Sequence, residues 1–549
     1  MASDNPAADA YAEGRAKRAS GDDRGAIAGF LMAFALAPDV VAYRQTAFEI
    51  LNVLSGYDRL PLPLMQALAR AVTDPDLDIQ PLGLVVRNLL ASDPRLAQFR
   101  TALAGETAAA ETAIEGASWL LEDGLLLAVL SRAFNVSTEI EDALTALRRH
   151  VCLRVAHGET SSLFSRYPAA AVALTRQCIF NRHVWRETAE ETKAIGILIG
   201  RSDTAALQLR AAYRPLRDIS GHDAQALPPA LAELWTQEAD ERQRADNFPV
   251  LTPIAPGLSK AMREQYEAYP YPRWRQARSI IKRRTLHTLL TQAMPHASFD
   301  TRLDGDVDVL IAGCGTGLPT MSYALSLARA QFLAVDLSRV SLAYAARMAD
   351  ALGADNVTFA VADITNLAAL ERRFDFIECS GVLHHMADPA IGLAALRALV
   401  HPHGVMKIAL YSERGRKGEV AAQTFVKEHG FPDTVEGLRE ARAAILALPP
   451  GHPVKLVAET RDFFTADGLH DLIFNIHESR TSPAAMKRLL AVHGLEVIGV
   501  DIPPLMGGDQ FRREHPDPKT WADLDLWETF EAANPQVFAQ MIHVWCRPV

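Results

Sequence analysis

Five residues, Gly313-Cys314-Gly315-Thr316-Gly317, stand between the apolar run Val307 to Ala312 and a segment that Pro319 opens as a helix. Strand, glycine turn and helix start in that order make a ligand cradle. Glycines reach positive φ and let a ligand approach the backbone, and free amides at a helix start hold a carboxylate. Nicotinamide and flavin enzymes use a related glycine pattern, so the residues that follow must decide the ligand. The next apolar run, Phe332 to Val335, ends in Asp336 with Leu337 beside it, where a carboxylate takes both hydroxyls of a ribose. The third, Val357 to Ala362, ends in Asp363 and Ile364, and the Asp363 oxygens suit an adenine amino group. Both carboxylates fall at the sheet edge where ligands of open α/β folds collect.

A fourth run, Phe374 to Cys379, leads into Ser380-Gly381-Val382-Leu383-His384-His385, and a fifth, Val405 to Leu410, ends at Tyr411. His384, His385, Tyr411 and Glu413 are the candidates to border the substrate and move a proton, and helix capping or packing is the competing role for either histidine. Tyr269, Tyr271, Arg273 and Trp274, spaced by prolines in Tyr269-Pro270-Tyr271-Pro272-Arg273-Trp274, read as a lid. Tyr271 would lie on the cofactor and Trp274 on the substrate, against aromatic packing at a domain junction as the alternative. Residues 413–481 exceed an ordinary loop and carry a helical pattern from Thr434 to Leu448. They are assigned to substrate recognition through Phe464, Asn475 and His477, with Asp462, Phe463, Asp471 and Glu478 nearby; dimer contacts or packing are the equal alternative.

The elements that must position these residues are an α/β unit and an all-α unit. From Val307 onward, strands and helices alternate as a parallel sheet requires, and Leu495 to Val500 with Ile542 to Cys546 read as a closing pair. From Asn5 to about Asn247 the apolar spacing is helical throughout. Within it, Ser137 starts a segment in which Thr138 and Glu141 suggest a capping box and Ile140, Leu144, Leu147 and Val151 line one face. Gly14, Ala26, Phe30, Ala33 and Pro38 match a single tetratricopeptide-like repeat near residues 8–41, and Phe48 breaks the next period. Prolines 249, 253 and 256 mark the boundary. The expected division is 1–247 all-α; 248–300 linker and lid; 301–412 cofactor-binding core; 413–481 insertion; and 482–549 completing the sheet.

The series VLIAGCGTG, AVDLS, VADI, FDFIECSGVLHHMADP and GVMKIALYS resembles class I S-adenosylmethionine-dependent methyltransferases over roughly Ala261 to Val549. With YPYPRW and Asp471-Leu472-Ile473-Phe474, it resembles the bacterial group that joins a tetratricopeptide-type helical region to this domain. The resemblance implies a Rossmann-like, mostly parallel seven-stranded sheet, S-adenosylmethionine as cofactor and S-adenosylhomocysteine as product. It implies Gly313, Cys314, Gly315 and Gly317 at the methionine part, Asp336 and Leu337 at the ribose, Asp363 and Ile364 at the adenine, and Ser380 and Gly381 at the sulfonium. One position departs: where many members carry an acid two residues before the first glycine, this chain has Ile311. Recognition of the cofactor amine must then come from elsewhere.

The 549 residues carry a net charge of -10, which provides no general attraction to a phosphate backbone, so nucleic acid is not the expected partner. The Asn/Asp-Pro-Pro-aromatic motif of many amino-methylating enzymes is replaced by Glu378-Cys379-Ser380-Gly381. Five scattered cysteines without a CxxC pair imply neither a disulfide framework nor a metal site. No export signal or membrane span is read, and a cytoplasmic protein is expected. The helical half suggests a protein or peptide acceptor. A small metabolite or glycan acceptor, an inactive cofactor-binding scaffold and a homodimer remain open.

Overall fold

The computed structural model describes residues 5–276, 282–503, 506–539 and 541–549; residues 277–281 of the linker and lid lie outside the described residues. Seven strands form one sheet in the order β3-β2-β1-β4-β5-β7-β6. They are β1 (Val307–Ala312), β2 (Ala330–Asp336), β3 (Val357–Val361), β4 (Phe374–Ser380), β5 (Val400–Leu410), β6 (Leu495–Val500) and β7 (Ile542–Pro548). β7 runs antiparallel to both neighbours, and the other described pairings are parallel. Near-continuous apolar runs in β1 and β4 follow from burial on both faces, each of which packs against its own apolar core.

β5 starts at Val400, five residues before the apolar run at Val405. His401-Pro402-His403-Gly404 reads as a turn, yet the ladder continues through a register shift opposite Phe374 to Phe376. A side chain on Gly404 would bring Cβ within 2.8 Å of the Asp375 carbonyl.

The first half is all helical, from Pro6–Ala19 to Pro229–Ala245. Pro6–Ala19 and Asp23–Leu36 form a hairpin in which a Cβ on Gly14 would come within 2.9 Å of the Phe30 ring, so a small residue there is a packing requirement. The helix Thr138–Ala156 is capped by Ser137, which accepts from the Ile140 amide. The expected capping box is therefore corrected: the Glu141 carboxylate turns away to a buried ion pair with Arg442.

Arg442 belongs to the 413–481 segment, whose helices Lys417–His429, Val435–Ala447 and Ala466–Ile473 share one apolar core with the helical half. The segment leaves the sheet after β5 and completes the other domain. The proline-marked boundary is also ordered. Val250 bridges Val361 in parallel, with Leu251 N–H donating to the Val361 carbonyl at 2.9 Å and Val361 N–H to the Pro249 carbonyl at 2.8 Å, so residues 249–251 extend the sheet edge beyond β3. Among the described residues, no helix is long and apolar enough to cross a membrane.

Candidate active site

A cavity of about 680 Å³ opens at the C-terminal ends of β1 to β5. Gly313, Cys314, Gly315, Asp336, Leu337, Asp363, Ile364, Ser380, Gly381 and Tyr271 all line it. At Gly313, φ is +77° and a Cβ would lie 2.4 Å from Val382. At Gly315, φ is +51° and a Cβ would lie 2.8 Å from the Tyr271 carbonyl. Gly317 does not line the cavity; at φ +88° it seats the helix Leu318–Ser326, where a Cβ would meet Ala345.

Asp336 accepts from the Gly315 amide at 2.8 Å through Oδ2 and from the Ser338 amide at 2.9 Å through Oδ1, tying the glycine turn to the end of β2. Burial pushes its pKa up against these bonds. Asp363 accepts from the Thr365 amide and hydroxyl through Oδ1 and from the Ala255 amide at 3.0 Å through Oδ2, so the linker is anchored at the cavity wall.

The YPYPRW segment clamps the turn from behind. The Thr316 hydroxyl donates to the Pro272 carbonyl, and Trp274 Nε1 donates to the Thr316 carbonyl at 2.9 Å. Trp274, expected on the substrate, is instead buried against Tyr344 and lies outside the cavity, because its indole N–H is spent on the turn. Tyr271 does line the cavity and donates to Asp462 Oδ2 at 3.0 Å.

Of the residues expected to move a proton, His385 and Tyr411 line the cavity, and His384 and Glu413 do not. His384 is buried, with its ring stacked 3.8 Å from that of Tyr411; desolvation, then His385 and Arg416, hold its pKa well below the usual histidine range. Glu413 is exposed. His385 Nδ1 lies 2.8 Å from the His477 carbonyl, which can only accept, so Nδ1 carries a proton. Tyr266 Oη and His384 Nε2 each sit 3.1 Å from His385 Nε2, and Tyr266 Oη donates to Asp471 Oδ1 at 2.8 Å. Burial raises the Asp471 pKa.

Asn475 and His477 stand behind this network and outside the cavity: Asn475 Nδ2 reaches Asp471 Oδ1 at 3.3 Å, and His477 Nε2 reaches the Met386 carbonyl at 3.1 Å. Phe464 is farther removed, buried in the helical core with Arg442 stacked near it. Much of the segment after β5 fills that core, while its Asp471 lines the cavity.

Sequence reasoning missed Tyr266, Glu378, Lys407, Met541 and His543, all of which line the cavity. Tyr266 sits on the amphipathic helix Leu258–Ala268, whose role nothing local signals. Glu378 and Lys407 had a signal: each is a charge inside an apolar strand. Glu378 is 4 % exposed, and burial lifts its pKa to about 7. Lys407 pairs with Asp501 at 2.6 Å.

Residues 309–404 match the family model of a methyltransferase domain. An uncharacterized protein of Synechococcus sp. is 31 % identical over 184 residues, covering 31 % of this chain and 41 % of the relative. A ubiquinone biosynthesis O-methyltransferase of Azotobacter vinelandii is 32 % identical over 141 residues, covering 26 % of this chain and 58 % of the relative. The chain thus spans about half the length of the curated relatives it matches. Among solved structures, PKMT2 from Rickettsia typhi in complex with AdoHcy aligns with a TM-score of 0.35 at 16 % identity, covering 44 % of this chain and 49 % of that one. Strand order, glycine turn and family match together define a Rossmann-like class I methyltransferase domain in the second half, of the type that takes S-adenosylmethionine.

The residues present fit that cofactor. Three positive-φ glycines hold the turn open, two strand-end carboxylates stand in line, and the Ser380 hydroxyl and the buried Glu378 carboxylate line the same cavity.

Proposed function

We propose that the protein methylates a nucleophile presented by a polypeptide that docks between the helical half and the catalytic sheet. The observation carrying this reading is a cleft of about 540 Å³ that shares Lys407, Met541 and His543 with the strand-end cavity. Its other wall is helical and includes Gln45, Phe48, Val53 and Pro81. An acceptor entering by this route passes along the helical half before it reaches Gly381, which lies against Met541. Helical solenoids use extended concave surfaces to hold partners.

When bound, the cofactor supplies a methyl group on a sulfonium to an acceptor lone pair. The chain's own residues position and deprotonate. Gly381 leaves room beside Met541, Asp336 and Asp363 fix the adenosyl end, and His385 Nε2 receives the acceptor proton while its Nδ1–H stays on the His477 carbonyl. Tyr266, which donates to Asp471, faces the same Nε2 at 3.1 Å and orients it. Tyr411, capped by Arg416 at 3.8 Å, closes the wall behind.

A small hydroxylated acceptor is the second reading. It is supported by the proton-accepting network inside the cavity and by the similarity to a ubiquinone biosynthesis O-methyltransferase. One experiment separates the two: incubate the full chain with methyl-labelled S-adenosylmethionine and cell lysate, and fractionate the label. Macromolecular label lost in Val53→Trp, with S-adenosylhomocysteine binding intact, supports docking in the cleft; Val53 is 46 % exposed and lines it. Label confined to small molecules and indifferent to Val53→Trp supports the second reading.

A further inference from the structure

The missing acid at position 311 has a spatial replacement. In the parallel ladder between β1 and β4, Ile311 stands directly beside Glu378. Partners in a parallel ladder project to the same face, and side chains two residues apart do so as well. Ile311 and Phe376 accordingly share one apolar core, and Glu378, two residues beyond Phe376, emerges on that face at the cavity wall. Gly313, just past the end of β1, and Ser380, the last residue of β4, each two residues further on, line the same cavity. The carboxylate has therefore moved one strand sideways while keeping its height above the glycine turn.

Nothing in the fold needs a charge there. The side chain is 4 % exposed, and among the described residues no ion pair closes on it. Its neighbour Lys407 is held by Asp501, and the pull of Lys407 and of the Ser380 hydroxyl on the carboxylate is outweighed by burial. A buried carboxylate without a counter-ion of its own costs stability, and such a cost persists where a ligand supplies the missing partner. The ligand group it suits is a primary ammonium that donates from the methionine end of the cofactor.

Resting on the reading of this cavity as an S-adenosylmethionine site, we propose that Glu378 on β4 is the receptor for the cofactor's α-ammonium group, in place of the acid that β1 lacks. Burial, which raises the carboxyl to about 7, is consistent with a group that becomes fully charged when the ammonium arrives.

The test is calorimetric titration of the full chain with three probes: S-adenosylhomocysteine, S-(5′-adenosyl)-4-thiobutyrate, which lacks only the amine, and 5′-methylthioadenosine, which lacks the whole amino-acid end. In Glu378→Gln, S-adenosylhomocysteine affinity is expected to fall about ten- to hundredfold, the value of one buried charge-assisted contact. Binding of 5′-methylthioadenosine and of the deaminated probe should change less than about threefold, one contact's worth being absent from both. Retained 5′-methylthioadenosine binding also shows that the variant is folded. Equal loss across the three probes overturns the proposal and makes Glu378 structural. Unchanged S-adenosylhomocysteine affinity with lost turnover overturns it too and moves Glu378 to the acceptor. If wild-type protein binds none of the probes, the cofactor reading itself fails, a result distinct from both.

Discussion

The strand tips of the sheet and the segment 413–481 both carry charged and aromatic side chains just beyond apolar strands, yet they have opposite fates. At the tips, Asp336, Asp363, Ser380 and Glu378 turn polar atoms toward a cavity. In the segment, Arg442 pairs with Glu141, Arg439 with Glu187 at 3.1 Å, and Phe463 and Phe464 fill the helical core. Polar residues at the strand tips line a cavity, whereas these side chains of the segment are consumed by packing in the helical core; Asp471 of the same segment still reaches the cavity.

The contrast can be broken or sharpened by substitution. The largest effect belongs to His385→Ala, which removes the proton acceptor at the cavity wall: turnover should fall about 10²- to 10⁴-fold with S-adenosylhomocysteine affinity unchanged. Steady-state kinetics beside calorimetry checks the split, and a loss confined to cofactor affinity would place His385 with the cofactor instead. Next is Arg442→Leu, which leaves the Glu141 carboxylate buried and unpaired and should cost about 3–5 kcal/mol of stability in urea titration. Cofactor affinity should hold at denaturant concentrations where the protein stays folded, because the pair lies in the helical half.

Glu378→Gln is expected to do the reverse of Arg442→Leu. A carboxyl raised from 4.5 to about 7 binds its proton more tightly in the folded chain, so the stability it contributes is full below pH 4.5 and lost as pH rises through 7. The groups facing it are Lys407 on β5, Ser380 on its own strand and Tyr323 on the helix Leu318–Ser326. Glutamine never ionises. The variant should therefore be more stable than wild type by about 1–3 kcal/mol at pH 8 without cofactor, and equal to it at pH 4.5, read by denaturant midpoints. A variant less stable at pH 8 would mean that Glu378 is fully paired within the protein itself. The smallest effect is that of Glu413→Ala: the side chain is exposed and off the cavity, so turnover should stay within about twofold.

Much of the cofactor side was legible because its determinants are local. A glycine turn after a buried strand, and an aspartate at each of the next two strand ends, are set by residues adjacent in sequence, and the structure places them around one cavity. The acceptor side depends on contacts far apart in the chain: Tyr266 with Asp471, His385 with the His477 carbonyl, and Met541 beside Gly381. Helical spacing in 434–448 announced the helix Val435–Ala447 but could not say which core it enters, since periodicity reports an apolar face and not its partner. Trp274 shows the same limit, because an indole N–H committed to the Thr316 carbonyl looks in sequence like an aromatic free for a ligand.

The central claim is that the strand-end cavity seats an adenosyl sulfonium compound, and a crystal structure of the full chain grown with S-adenosylhomocysteine tests it most directly. The account predicts one bound ligand, with its ribose at Asp336, its adenine at Asp363 and its thioether beside Gly381. A cavity that stays empty at saturating ligand, or an adenosyl group bound at any other place on the molecule, would contradict it.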